Sequence, residues 1–134
     1  MQKNILSDIN NVSHKSSLVS GKQAEQQALA FLEQQGLTLV VKNYRTYYGE
    51  IDLIMKDQAY YVFVEVRLRN NLNYASGIES VTLSKQKKII KTTLRFLQEN
   101  RLLNKVPCRF DVIGVEKHNQ EFSFQWIKNA FLAK

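Results

Sequence analysis

Gly49-Glu50-Ile51-Asp52-Leu53-Ile54-Met55, a polar break at Lys56-Asp57-Gln58-Ala59, and Tyr60-Tyr61-Val62-Phe63-Val64-Glu65-Val66-Arg67-Leu68 together read as a β-hairpin. β-Branched and aromatic residues dominate both arms, and the break is short enough for an antiparallel turn. Inside this apolar frame stand Asp52, Glu65 and Arg67. Burying an unpaired charge costs several kcal/mol, so such residues have a partner, a metal or a chemical task. Side chains alternate along a strand. Glu50, Asp52 and Ile54 therefore share one face of the first arm, with Ile51, Leu53 and Met55 on the other. Phe63, Glu65 and Arg67 share a face of the second arm. A turn centred between Asp57 and Gln58 pairs Asp52 with Phe63 and makes Asp52 and Glu65 diagonal neighbours, ~7 Å apart at Cα. A slip of one residue would put them on opposite faces.

Two carboxylates so placed are hard oxygen donors suited to Mg²⁺ or Mn²⁺, cations that keep several waters and also bind phosphate. Such a cation polarises a phosphoryl oxygen and acidifies an attacking water. Arg67 is placed to stabilise the charge that develops. The competing reading is a partly buried ion pair of Asp52 or Glu65 with Arg67 or Arg45. For Glu25, at a helix start, the helix dipole alone is a sufficient reason.

Outward from the hairpin, Ser20-Gly21-Lys22-Gln23 matches a capping box, and Ala24, Ala28, Phe31 and Leu32 follow at helical spacing up to Gly36. A helix is expected over residues 21–35, a strand over 37–41, and a loop or irregular strand end over 43–49. A second loop is expected over 70–77. A second helix starts near Thr82 to Ser84, with Ile89, Ile90, Thr93, Leu94 and Leu97 as its apolar stripe. Lys85, Lys87, Lys88, Lys91 and Arg95 form its polar surface. Pro107 separates it from a strand over 108–115, and a fifth strand follows over 122–127. Residues 129–134 read as a short helix or tail. Tyr44, Tyr47, Tyr48 and Tyr74 fall in expected loops, where tyrosines cap a core edge or stack on unpaired bases. Asp111 reads as a half-buried polar partner, Trp126 as core and Cys108 as a small buried hydrophobe. The fold class that results is α/β, a mixed central sheet of about five strands flanked by helices.

The chain has 134 residues, 44% of them hydrophobic, which suits one domain over residues 20–134 behind a flexible tail at 1–19. Nineteen Lys and Arg against 12 Asp and Glu leave a net charge of +7. That balance is a common footprint of nucleic-acid binding, since each neutralised phosphate releases counterions. Beside a carboxylate site, the lysines of the second helix suit phosphate contacts. One cysteine excludes an internal disulfide and argues against a cysteine-based zinc site. No run approaches the ~18 apolar residues of a membrane span, and a cytoplasmic protein is expected.

Gly21-x-x-x-Glu25-x-x-Ala28, Asn43-x-Arg45, Gly49-Glu50-Ile51-Asp52-Leu53, Phe63-Val64-Glu65-Val66-Arg67-x-Arg69, Ser80-Val81-Thr82-x-x-Lys85-Gln86 and Cys108-Arg109-Phe110-Asp111-Val112 occur in this order. Together they resemble the YraN family of small bacterial proteins, over about residues 20–131. That family is grouped with the restriction-endonuclease-like nucleases, whose signature is (D/E)-x(n)-(D/E)-x-K, and is similar to archaeal Holliday junction resolvases. The resemblance implies a restriction-endonuclease-like fold and a metal-dependent endonuclease, or nuclease-like protein, acting on branched DNA. Asp52 and Glu65 would be the principal metal ligands and Glu25 an outer one, with the Val66 carbonyl as a further donor. Arg67 would stand at the signature lysine, and Gln86 at a polar position of the resolvase branch. Lys85, Lys87, Lys88, Arg45 and Arg69 would meet nucleic acid. A homodimer would suit a junction with two scissile strands. Arginine at position 67 departs from the signature, since it stays charged and cannot act as a base. A catalytically inactive nucleic-acid-binding module of the same fold is the alternative.

Overall fold

The computed structural model describes residues 19–69 and 81–133. The elements are α1 (Gly21–Gln34), β1 (Thr38–Thr46), β2 (Gly49–Asp57), β3 (Tyr60–Leu68), α2 (Leu83–Glu99), β4 (Cys108–His118) and β5 (Glu121–Phe131). The expected loop at 70–77 with Tyr74, and the expected tail apart from Val19, lie outside the described residues. Val19 itself is buried in the core.

Both helix starts follow from their caps. Ser20 Oγ accepts from Gln23 N–H (3.1 Å) and the Gln23 side chain reaches back to Ser20 N–H (3.5 Å), so the capping box closes. Thr82 Oγ1 accepts from Lys85 N–H (3.1 Å) at the start of α2. Gly36, at φ +100°, takes the left-handed conformation that a residue with a side chain resists.

The five strands form one sheet in the order β1-β2-β3-β4-β5. β3 and β4 are parallel and the other neighbours antiparallel, because the β3-to-β4 connection passes through α2. Each face carries a helix. Ala24, Ala28 and Leu32 of α1 pack with Leu53, Met55, Val62, Val64, Ile113 and Val115. Ile89, Phe96 and Leu97 of α2 pack with Ile54, Phe63, Phe110 and Val112. The α/β class with a mixed five-stranded sheet is therefore the observed one, compatible with a restriction-endonuclease-like fold.

Several expectations need correction. β1 runs past the expected 37–41 to Thr46, so of the two readings of 43–49, loop or strand end, Tyr44 and Arg45 take the strand. The Tyr44 ring meets Phe96 edge-on at 5.4 Å and its hydroxyl donates to Glu99. Burial and that carboxylate push the Tyr44 hydroxyl up to about 12. On α2, Phe96 is buried and Leu94 exposed, the reverse of the expected stripe. Where a short helix or tail is expected from residue 129, β5 continues to Phe131, whose ring stacks on Phe110 at 4.9 Å. Asp111 is fully buried rather than half-buried, and Cys108 is only half-buried. Trp126 is half-buried, edge-on to Phe31 at 6.2 Å.

Candidate functional site

The β2–β3 hairpin is offset by two residues from its expected register. Ile54, not Asp52, lies opposite Phe63, because the connection shrinks to Gln58 and Ala59, with Gln58 at φ +55°. The ladder runs from Asp57↔Tyr60 to Leu53↔Val64. Beyond that pair the strict alternation on β2 also fails. Ile51 joins the core under α2, whereas Leu53 and Met55 face α1. Asp52 sits at this change. Its Oδ2 accepts the Val66 N–H (2.8 Å), so a carboxylate takes a donor just past the last paired residues. Val66 thus presents its N–H to Asp52.

Asp52 and Glu65 line one cavity of about 310 Å³, with Gly21, Ala24, Glu25, Val66, Arg67, Leu68 and Lys85 around them. α1 supplies one wall through its first turn, and α2 reaches in with Lys85. Glu65 is 5% exposed. Its Oε2 lies 2.5 Å from Lys85 Nζ and 3.6 Å from Arg67 Nη1. The ion pair of Glu65 with Arg67, weighed as the purely structural reading, is therefore present, and Lys85 adds to it. Arg45 pairs with Glu50 instead (3.4 Å).

The electrostatics of the cavity are lopsided. Burial, reinforced by the charge of Glu65, raises the Asp52 carboxyl from 3.8 to about 8, against the lowering pull of the Val66 N–H. Glu25 is also raised, first by burial and then by Glu50. With its amide nitrogen turned to the acids, Asn43 donates to Glu25 Oε1 (2.9 Å) and Glu50 Oε1 (3.0 Å). Asn43, itself bonded to Glu50, thus ties Glu25 to the sheet against the repulsion of the Glu50 charge. Sequence reasoning assigned neither a role, since a side chain bridging a helix and two strands leaves no local spacing signal.

The remaining candidates scatter. Gln86 donates its amide to the Val81 carbonyl (3.0 Å) and is not among the residues lining the cavity. Arg69 donates to Gln125 Oε1 (3.0 Å), across to β5. Lys87 and Lys88 are exposed on α2. Among the described residues no group of three His, Cys, Asp or Glu side chains converges as a metal-ligating set. Nor is any described helix long and apolar enough to cross a membrane.

Residues 24–115 match the model of the Uncharacterised protein family UPF0102. The chain belongs to this family. A UPF0102 protein of Legionella pneumophila is 48% identical over 111 residues, 83% of this chain and 92% of that protein. One from Coxiella burnetii is 46% identical over 110 residues, covering 82% and 89%. One from Pseudomonas fluorescens is 41% identical over 117 residues, covering 87% and 96%. The UPF0102 match takes in every residue that lines the carboxylate cavity from Ala24 to Lys85, and ends in β4 before β5 begins.

Proposed function

We propose that this protein is a metal-dependent endonuclease of the restriction-endonuclease-like superfamily, hydrolysing phosphodiester bonds in branched DNA. The observation that carries the reading is the pair Asp52 and Glu65, the first raised by burial and by its acidic neighbour, facing one cavity beside a basic helix. The donor set fits Mg²⁺ or Mn²⁺. Both donors are hard carboxylates, Asp52 is raised by burial and by a second acid, and a divalent cation would relieve that repulsion. Two carboxylates with water and phosphate completing the shell is an ordinary Mg²⁺ arrangement. When bound, the cation would polarise a phosphoryl oxygen and acidify a water.

The chain's own residues do the rest. Asp52 is oriented by the Val66 N–H and Glu65 by Lys85, so both carboxylates are held before substrate arrives. Lys85 Nζ lies against Glu65, and a lysine amine, unlike the guanidinium of Arg67, belongs to a residue type that serves in proton transfer. Lys85 therefore serves the task of the signature lysine from a helix, while Arg67 holds phosphate and offsets charge. Glu25, braced by Asn43, orients water at the cavity rim. Lys87 and Lys88 meet the phosphate backbone.

The second reading, an inactive nucleic-acid-binding module, has one observation in its favour. Glu65 is already neutralised by Lys85 and Arg67. Cleavage of labelled four-way-junction, flap and linear DNA separates the two, with Mn²⁺ or Mg²⁺ against chelator. Asp52→Asn, purified identically, is the control for a contaminating nuclease. The enzyme gives metal-dependent cutting that falls at least ~100-fold in Asp52→Asn, in line with the loss of a key electrostatic group. The binding module shifts DNA in a gel and cuts nothing.

A further inference from the structure

The β1–β2 hairpin tip carries two tyrosines that the fold does not use. Tyr47 is 98% exposed and Tyr48 48% exposed, and their rings stand nearly perpendicular at 5.7 Å. A tip so apolar is nevertheless held firmly. Thr46 Oγ1 accepts the Tyr48 N–H (3.1 Å) and lies 3.5 Å from Thr92 Oγ1 on α2. Thr92 in turn donates to the Lys88 carbonyl (2.8 Å). Gly49 closes the turn at φ +156°, where a side chain would be strained, and a Cβ there would already touch Lys88. The tip backbone and Tyr48 are therefore held beside the same helix that sends Lys85 into the carboxylate cavity, and Tyr47 projects from it against the Tyr48 ring.

That helix presents cations in a line between the two places. Lys85 lines the carboxylate cavity, Lys88 packs by Gly49, Lys91 lies 5.8 Å over the Tyr48 ring, and Arg95 lines a second cavity at the hairpin tip. From Lys85 to Arg95 the axial run is about 15 Å, at 1.5 Å per residue. Arg45 and Arg95 are paired with Glu50 and Glu99. Lys88 and Lys91 have no carboxylate partner among the described residues, so their charge is available to an incoming anion. The second cavity, about 420 Å³, is walled by Arg45, Thr46, Tyr47, Tyr48, Arg95 and Glu99. Isolated exposed tyrosines are ordinary. An exposed aromatic pair at the end of a cationic track is the arrangement by which proteins hold single strands, with bases on rings and phosphates on lysines.

We propose that Tyr47 and Tyr48 form a stacking subsite for an unpaired base of a nucleic acid whose backbone runs along Lys88 and Lys91 to the carboxylate cavity. The proposal rests on the nucleic-acid reading of that cavity but not on catalysis. It names the substrate feature recognised, an unstacked nucleotide a few steps from the phosphate at Asp52 and Glu65.

The test is equilibrium binding of the full chain, in chelator, to a labelled blunt duplex and to the same duplex with a single-stranded flap. Proteins compared are wild type, the double variant Tyr47→Ala with Tyr48→Ala, and the double variant Tyr47→Phe with Tyr48→Phe. The alanine pair is expected to bind the flap probe about 10-fold more weakly and the blunt duplex within about 2-fold of wild type, since stacking is lost and phosphate contacts are not. The phenylalanine pair keeps wild-type affinity, because a ring suffices. An unchanged melting temperature in both variants shows that the fold is intact. Equal losses on both probes, or no loss on the flap, would overturn the subsite while the nucleic-acid reading stands. A wild-type protein that binds neither probe would overturn both.

Discussion

Asp52 on β2 and Asp111 on β4 are both aspartates in apolar strands of one sheet, and the structure treats them in opposite ways. Asp111 has no exposure at all. It accepts from Arg109 Nε at 3.1 and 3.2 Å, from Trp126 Nε1 at 3.0 Å and from the Asn129 N–H at 3.0 Å. Arg109 continues to Asp57 at 3.0 Å. The backbone itself is shaped for this. The β4–β5 register shifts between Phe110 and Val112, and Asn129 takes φ +53° as its N–H points to the carboxylate. Asp52 receives a single N–H, faces a cavity and is raised by its acidic neighbour Glu65. A saturated buried carboxylate holds a fold together. An unsaturated one beside a second acid is ready for a cation.

The largest effect should come from breaking the saturated site. Asp111→Ala leaves Arg109 buried without its main partner, a loss of about 3–5 kcal/mol. At roughly 4 °C per kcal/mol for a domain of this size, the melting temperature falls by more than about 12 °C. Mn²⁺ should not restore it. A fall of only a degree or two in thermal denaturation would mean that the Asp111 network is incidental and that the contrast with Asp52 has no energetic content.

Asp52→Asn sharpens the same contrast by going the other way. The folded protein holds the Asp52 proton up to about 8, whereas the ordinary value is 3.8. From about pH 4 to about pH 8 the unfolded chain has released this proton and the folded chain has not, so this group lowers stability as pH rises through the window. Asparagine removes that slope and still accepts the Val66 N–H. In chelator at pH 8, Asp52→Asn should therefore melt several degrees above wild type, by a few kcal/mol at most. The two should converge near pH 4. The variant should also lose any stabilisation by Mn²⁺. Parallel melting curves across the whole pH range would show that Asp52 carries no such strain.

How far these two sites can be read from sequence differs for physical reasons. The cap at Ser20, the helical spacing and the strand-forming runs are local, and they give the two helices and five strands in order, but they miss Phe96 in the α2 stripe and the full lengths of β1 and β5. Glu65 and Arg67 share a face by alternation, a property of one strand. The hairpin offset depends on whether four residues or two make the turn, and the run from Lys56 to Ala59 is compatible with both. Tyr44 looked like a loop residue because its partners, Phe96 and Glu99, are more than fifty positions away. The donors of Asp111 come from β4 and from β5, and no spacing rule joins them. Lys85 was legible as a basic helix residue, but its contact with Glu65 is set by how α2 docks over the sheet.

The smallest expected effect isolates that contact. Lys85 Nζ is within 2.5 Å of Glu65, and the Lys85 side chain is 44% exposed, so water screens the pair and its contribution to stability is about 1 kcal/mol or less. Lys85→Met should lower the melting temperature in chelator by no more than a few degrees. The same substitution frees Glu65 from a competing cation. Mn²⁺ affinity, followed by titration calorimetry, should then rise by up to about 5-fold, the equivalent of that lost pair. Cleavage should fall even as metal binds better, because the amine assigned the signature-lysine task has gone. Tighter metal binding with undiminished cleavage would make Lys85 only a placeholder for the cation and return the signature-lysine task to Arg67. Weaker metal binding would mean that Lys85 holds Glu65 in its ligating position, and that the two cations at this carboxylate work with the metal instead of against it.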